Sequence, residues 1–400
     1  MTNTHTPANH PGLANDRLWT RRAVTCLLGA TALLARQVHA QSGVPGVSDR
    51  QIALTGSVDL SGPASIQIKM GFSGSRLYFD QLNQRGGVHG RQVLLNFLDD
   101  GFDPHRTIAN IEKVHAEGKT FAIFGTTGDE QSAAAIDICT RLGLPLFAPV
   151  CGAHGLRTLN RRKVYFVRAS YRDEATKILR HATTVGHDRL VVAYQDDGFG
   201  KSMRGEVHAA AKQLNLPPPE SIALSVKGVP SPAAAAQLAR LAPSAVVLAT
   251  IGEAFTNFVK DHVLGAQARP QIYGFSLMSP QIIAQHLGAQ GRGMILAQFV
   301  PSIRRRSVPI VAEYLAAHLK SRAQEAPSTL ALEGYVMAKV FAEGLRRAGR
   351  NLNREGLVAA LDQFGSWDVG GMDIRYDESS RAGSSYVDLA VMNDKGDLVF

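Results

Sequence analysis

Residues 190–205 read Leu-Val-Val-Ala-Tyr-Gln-Asp-Asp-Gly-Phe-Gly-Lys-Ser-Met-Arg-Gly, an apolar run that meets Gly200-Lys201-Ser202. Glycine, lysine and serine in that order close the phosphate-binding loop G-x-x-x-x-G-K-[ST], whose backbone amides wrap a nucleotide's phosphates. The first glycine of such a loop would fall at Gln195, and Asp196 and Asp197 would set carboxylates against phosphate oxygens. The simpler reading is a strand–turn–helix joint whose aspartates cap the helix start. Nucleotide chemistry is therefore not expected here.

Other reactive patterns are sparse. The histidines are dispersed, with no H-x-x-x-H or Cys-His spacing, so no metal site is expected. Neither a G-x-S-x-G elbow nor a G-x-G-x-x-G fingerprint follows an apolar run, so no catalytic residue and no cofactor is assigned. Asp99 and Asp100 could form an acid pair, but a capping and turn role suits them better. The chain does not read as an enzyme.

The 400 residues exceed the roughly 100–200 of one domain, so two domains are expected. A hydrophobic share of 45% with 19% charged residues describes a globular chain. The formal charge of +9 raises nucleic-acid binding, yet the densest cluster, Arg304-Arg305-Arg306, lacks interleaved aromatics. It reads as a solvated turn, and no nucleic-acid partner is expected. Arg21-Arg22, an uncharged apolar stretch from Ala23 to Ala35, and small residues at Val38-His39-Ala40 together read as a cleavable signal peptide over 1–40. The paired arginines suit a twin-arginine export signal, and the Sec route stays open. Removing four arginines and Asp16 with that segment takes the charge from +9 to +6. Cys139 and Cys151 remain, and whether they pair is left open.

From residue 51 onward, strands and helices alternate. Strands are read at Gln51–Gly56, Gln92–Leu98, Phe121–Phe124 and Leu144–Ala148, with helices at Ile66–Gln84, Pro104–Glu117 and Glu130–Leu142. A second set has strands at Lys163–Arg168, Arg189–Tyr194, Ser221–Val226, Ala245–Ala249 and Gln271–Phe275. Its helices are read at Glu174–Val185, Lys201–Leu214, Pro232–Ala242 and Ala254–Gly265. A strand at Gly293–Phe299, helices near Val308–Arg322, Thr329–Ala348 and Arg354–Gln363, and a β-like tail from Val369 complete the chain. Apolar strands separated by long helices predict α/β lobes with parallel sheets covered on both faces. Ligands of such sheets sit at the carboxyl ends of the strands, and a cleft between lobes suits a small molecule.

Several segments taken in order resemble the type I periplasmic solute-binding proteins of the branched-chain amino acid (Leu/Ile/Val) ABC transporter family. They are Ile52-Ala-Leu-Thr-Gly-Ser-Val-Asp-Leu-Ser-Gly-Pro63, Asn83-Gln-Arg-Gly-Gly-Val-His-Gly90, Asp99-Asp-Gly-Phe-Asp-Pro104 and Leu144-Pro-Leu-Phe-Ala-Pro149. Tyr165-Phe-Val-Arg168, the Gln195-Asp-Asp turn and Glu333-Gly334-Tyr335 continue the likeness over roughly residues 49–365. The resemblance implies two Rossmann-like lobes joined by three hinge crossings near Arg168, Phe299 and Ser366. By that analogy, residues 49–168 with 299–365 form the first lobe and 169–298 with 366–400 the second.

The resemblance also implies a periplasmic, monomeric receptor that takes a small polar ligand and hands it to ABC permease subunits of the inner membrane. A ligand-sensing module for a chemoreceptor or histidine kinase is the alternative. In the family, a hydroxyl and helix-start amides of the first lobe hold a ligand carboxylate. The matching stretch offers Thr126 and Thr127, with Asp129 at the usual hydroxyl position. Asp129 either caps its own helix or faces the cleft and selects a cationic or donor group. Val150, Cys151 and Gly152 line up with the next contact, where the family often carries Thr at the third place. Ser276 stands where a Glu binds the ligand ammonium in branched-chain binders. Tyr171 and Phe199 are candidate aromatic walls. Ser61, Gln67, Ile251 and Glu253 could face the cleft or serve helix starts.

Overall fold

The computed structural model describes residues 43–157, 163–226, 229–264, 269–278 and 280–399. The expected signal peptide lies outside these residues. Five strands form a first sheet: β1 (Gln51–Val58), β2 (Gln92–Asp99), β3 (Ala122–Thr127), β4 (Leu146–Val150) and β5 (Val164–Tyr165), in the order β2-β1-β3-β4-β5 with all pairs parallel. Helices α1 (Ser65–Gln84), α2 (Pro104–Ala116) and α3 (Asp129–Leu142) connect the first four strands. Successive residues of β3 and β4 point to opposite faces, and both faces are buried. Phe124 and Phe147 enter one core, while Ile123 and Leu146 enter the other.

The second sheet takes β6 (Leu190–Gln195), β7 (Glu220–Leu224), β8 (Ala245–Ala249), β9 (Gln271–Gly274) and β10 (Ile295–Gln298). Its intervening helices are α4 (Tyr171–Thr184), α5 (Gly198–Gln213), α6 (Pro232–Leu241), α7 (Gly252–Phe258) and α8 (Pro280–Leu287). Alternation again fills two cores: Val191 and Ala193 face one, Val192 and Tyr194 the other. A π-helical turn at Val259–Val263 prolongs α7. Three helices then return to the first core: α9 (Pro309–Ser321), α10 (Thr329–Ala348) and α11 (Arg354–Asp362).

The tail corrects one expectation. Strands β11 (Gly365–Asp368), β12 (Asp373–Asp377) and β13 (Ser380–Gly383) make a small antiparallel sheet, and β12 alternates so that Ile374 and Tyr376 are buried in the first core. Tyr376 packs edge-on against Tyr165. Residues 365–383 therefore pack with the first core, where the expectation had put residues 366–400 in the second lobe. Only β14 (Asp388–Met392) and β15 (Leu398–Val399) join the second sheet, as antiparallel strands beside β10.

The crossings lie side by side. The Ser384 amide donates to the Val167 carbonyl at 3.1 Å, and the Arg168 guanidinium lies 4.0 Å over the ring of Phe299. The strand expected over Lys163–Arg168 shrinks to Val164–Tyr165 because the chain leaves the sheet there to cross. Helix α8 carries no signal that was read from the sequence. No described helix is long and apolar enough to cross a membrane.

Candidate functional site

The site begins where β3 and β4 end. Thr127 and Val150 are register partners, and the Gly128 amide donates to the Val150 carbonyl at 3.1 Å. This pairing sets the start of α3 beside Cys151 and Gly152, at the carboxyl ends of the strands. Gly128, with φ of 84°, turns the chain into the helix and offers no side-chain cap. Asp129 is thus the first helical residue and does not cap α3, which removes one of its two readings.

Both carboxylate oxygens of Asp129 are enclosed, and neither accepts a hydrogen bond. The amides of Ala153 and Gly152, with Arg168 and Arg157 further off, pull its pKa down without closing normal hydrogen-bond geometry. Burial outweighs them and pushes Asp129 up to about 6.

The start of α4 lies against these residues. Ser170 and Asp173 form a capping box that fixes the start of α4. The first residue of that helix, Tyr171, donates its amide to the Gly152 carbonyl at 2.8 Å. A Cβ on Gly152 would land inside the Tyr171 ring. The aromatic ring occupies the space a side chain at 152 would need. Phe199 and Phe275 meet Tyr171 edge-on at 6.2 and 6.1 Å.

Behind these walls lies an ionic cluster that the sequence did not reveal. Arg168 and Glu333 are both buried and approach to 3.3 Å. Glu333 is placed by a close crossing of α1 and α10, where Gly74 and Gly334 leave no room for a Cβ and Ser75 donates to the Gly334 carbonyl at 2.7 Å. The Ser276 amide and hydroxyl each donate to Glu174 at 2.8 Å, and Arg168 reaches the same hydroxyl at 3.4 Å. Burial pushes Glu174 and Glu333 upward against the pull of Arg168. Burial also opposes the charge on Arg168, but Glu333 and Glu174 raise its pKa overall. Arg157 gives its two terminal nitrogens to the carbonyls of Cys151, Ala169 and Ala382, leaves its Nε without a partner, and lies 4.3 Å over Phe166. Arg168 and Glu333 were legible only as resemblance motifs; Glu174 and Arg157 carried no signal.

Of the expected residues, Asp129, Cys151, Gly152, Tyr171, Phe199 and Ser276 gather here. Thr126 is buried with its hydroxyl 2.7 Å from that of Ser132, and the Thr127 hydroxyl accepts from the Asp59 amide at 3.3 Å. Val150 is half-buried at the end of β4. Three others stand apart. Ser61 is exposed and donates to Asp99 at 2.7 Å, Gln67 is half-buried on the first turn of α1, and Ile251 is exposed as the N-cap of α7. The side chain of Glu253 lies outside the described residues.

Cys139 and Cys151 are buried free thiols, Cys151 pushed by burial up to about 12. At the Gly-Lys-Ser turn, the Asp197 side chain accepts from the Gly200 amide at 2.9 Å, and Lys201 pairs with Asp196 at 2.9 Å. The aspartates serve the helix start. Asp99 and Asp100 likewise accept from turn amides, including those of Leu60, Gly101 and Phe102.

The fold is thus a mixed α/β arrangement of two sheets, one parallel and one mixed, with a buried polar cluster where the chain passes from one to the other. The chain belongs to the periplasmic binding protein family, whose sequence model matches residues 51–397. It is 25% identical over 198 residues to the leucine-specific-binding protein of Salmonella typhimurium, a match covering 49% of this chain and 51% of that protein. The match thus spans about half the length of that curated relative. A possible leucine/isoleucine/valine-binding protein from Rhodopirellula baltica superposes with a TM-score of 0.78 at 22% identity, over 90% of this chain and 98% of that one. A substrate-binding periplasmic protein from Ralstonia solanacearum gives 0.76 at 28% identity, over 87% and 99%.

Proposed function

We propose that the chain is an exported solute receptor that captures a small polar ligand, an amino acid or a related organic acid or amide, between its lobes. On this reading the first lobe comprises residues 44–168 and 299–383, and the second 169–298 and 384–399. The lobes part at the crossings to admit the ligand and close over it, and the closed form docks on an ABC permease. Residues 1–40 serve export and are removed, and the receptor works in the periplasm as a monomer without catalysing a reaction.

The observation that carries the reading is the meeting of two helix starts, those of α3 and α4, over a buried polar cluster drawn from both lobes. Asp129, Gly152 and Tyr171 form its ligand side; Arg168, Glu174, Ser276 and Glu333 form its back. Polar groups this enclosed cost free energy unless something pairs with them. Thr127, Val150, Cys151 and Phe199 line the approaches. Protein purified under native conditions and then denatured is expected to release a small molecule in near-equal amount, identified by mass spectrometry. Folded protein that releases none, and that no amino acid, organic acid, amide or amine stabilises against heat, would end the proposal.

A further inference from the structure

We propose, resting on the cleft reading above, that Asp129 is a ligand contact and that the solute brings it a cationic nitrogen, an ammonium or amidinium group. Both carboxylate oxygens are enclosed and accept no hydrogen bond, although a carboxylate has room for several. The helix does not use them, since Gly128 is the N-cap and Asp129 the first residue inside.

The nearby cations direct their hydrogen bonds elsewhere, although Arg157 Nε and Arg168 Nε close none. Arg168 pairs with Glu333 and reaches Ser276, and Arg157 donates to main-chain carbonyls of Cys151, Ala169 and Ala382. The Ala153 and Gly152 amides approach without closing hydrogen-bond geometry, so both Asp129 oxygens remain without a donor. A ligand carboxylate here would set two like charges together, whereas an ammonium or amidinium would satisfy both oxygens with charge-assisted bonds. Tyr171 stands near Asp129, and an aromatic ring favours a cation. Gly152 leaves that ring its place.

The test is calorimetric titration of the purified protein with agmatine, putrescine and L-arginine, beside L-leucine and glutarate, repeated on Asp129→Asn. At least one cation is expected to bind, and Asp129→Asn to weaken it by about tenfold or more while the unliganded variant melts no lower than the parent. Asp129→Ser serves if the first variant fails to fold. The proposal is overturned if none of the three cations binds, or if removing the carboxylate leaves cation affinity unchanged. Binding of leucine or glutarate without any cation would overturn this inference and keep the receptor reading. Absence of binding by all five compounds, with no molecule released on denaturation, would overturn both.

Discussion

Ser276 gives both its amide and its hydroxyl to the carboxylate of Glu174, each at 2.8 Å, across 102 residues of sequence. Glu174 lies on the first turn of α4, so these two donors, with Arg168 nearby, tie the start of that helix to the loop after β9.

Among the described residues Arg168 pairs with Glu333 and also faces Glu174. Arg168→Met leaves two buried carboxylates without their cation, and the expected cost is about 3–5 kcal/mol at neutral pH. Both carboxylates already have raised pKa values in the folded protein. Raised acids contribute stability that is present at low pH and lost as pH rises through the folded value. The cost of Arg168→Met is therefore expected to shrink on acidification, as urea unfolding at pH 5 and pH 8 would measure. Equal costs at both values would mean the glutamates do not depend on Arg168.

Gly152 and the Tyr171 ring share one space. Gly152→Ala forces the ring, and with it the Phe199 and Phe275 edges, to move. Overpacking of this kind costs about 1–3 kcal/mol. The expected result is a lower urea midpoint with an unchanged slope; a midpoint equal to the parent's would show that ring and glycine are not in contact.

Asp129 gives the unliganded protein a specific pH dependence. Its pKa rises to about 6 on folding, from an unfolded value of about 3.9. The folded state thus holds the proton more tightly, and stability falls as pH rises between those values and levels off above. The loss is on the order of 3 kcal/mol. Cys151, Arg157, Arg168 and Tyr171 face the same space, so the contribution is isolated by comparison with Asp129→Asn. The parent is expected to lose stability relative to the variant from pH 4 to pH 7. Parallel curves would place the carboxylate in contact with solvent.

Much of the frame was legible because it rests on local rules. Asp103 before Pro104 and Gly143 after Leu142 bound their helices where expected, whereas Ser170 and Asp173 start α4 at Tyr171, three residues before the expected Glu174. The apolar runs of β3, β6 and β8 announce strands buried on both faces. The tail was misassigned because alternation in Asp373–Asp377 fixes that Ile374 and Tyr376 share a face but not which core receives it. The cluster was harder still. Glu174 looks like an ordinary first-turn acid, favourable at a helix start whatever it contacts, and only the fold brings Ser276 to it. Asp129 was noticed by type; that it caps nothing depended on Gly128 taking the turn.

The central claim is that the two lobes close over a solute. It is tested most directly by small-angle X-ray scattering of the purified protein, stripped of bound molecules and then saturated with the compound recovered on denaturation. The expected result is a smaller radius of gyration with ligand than without it. Identical profiles with and without a ligand proven to be bound would contradict closure.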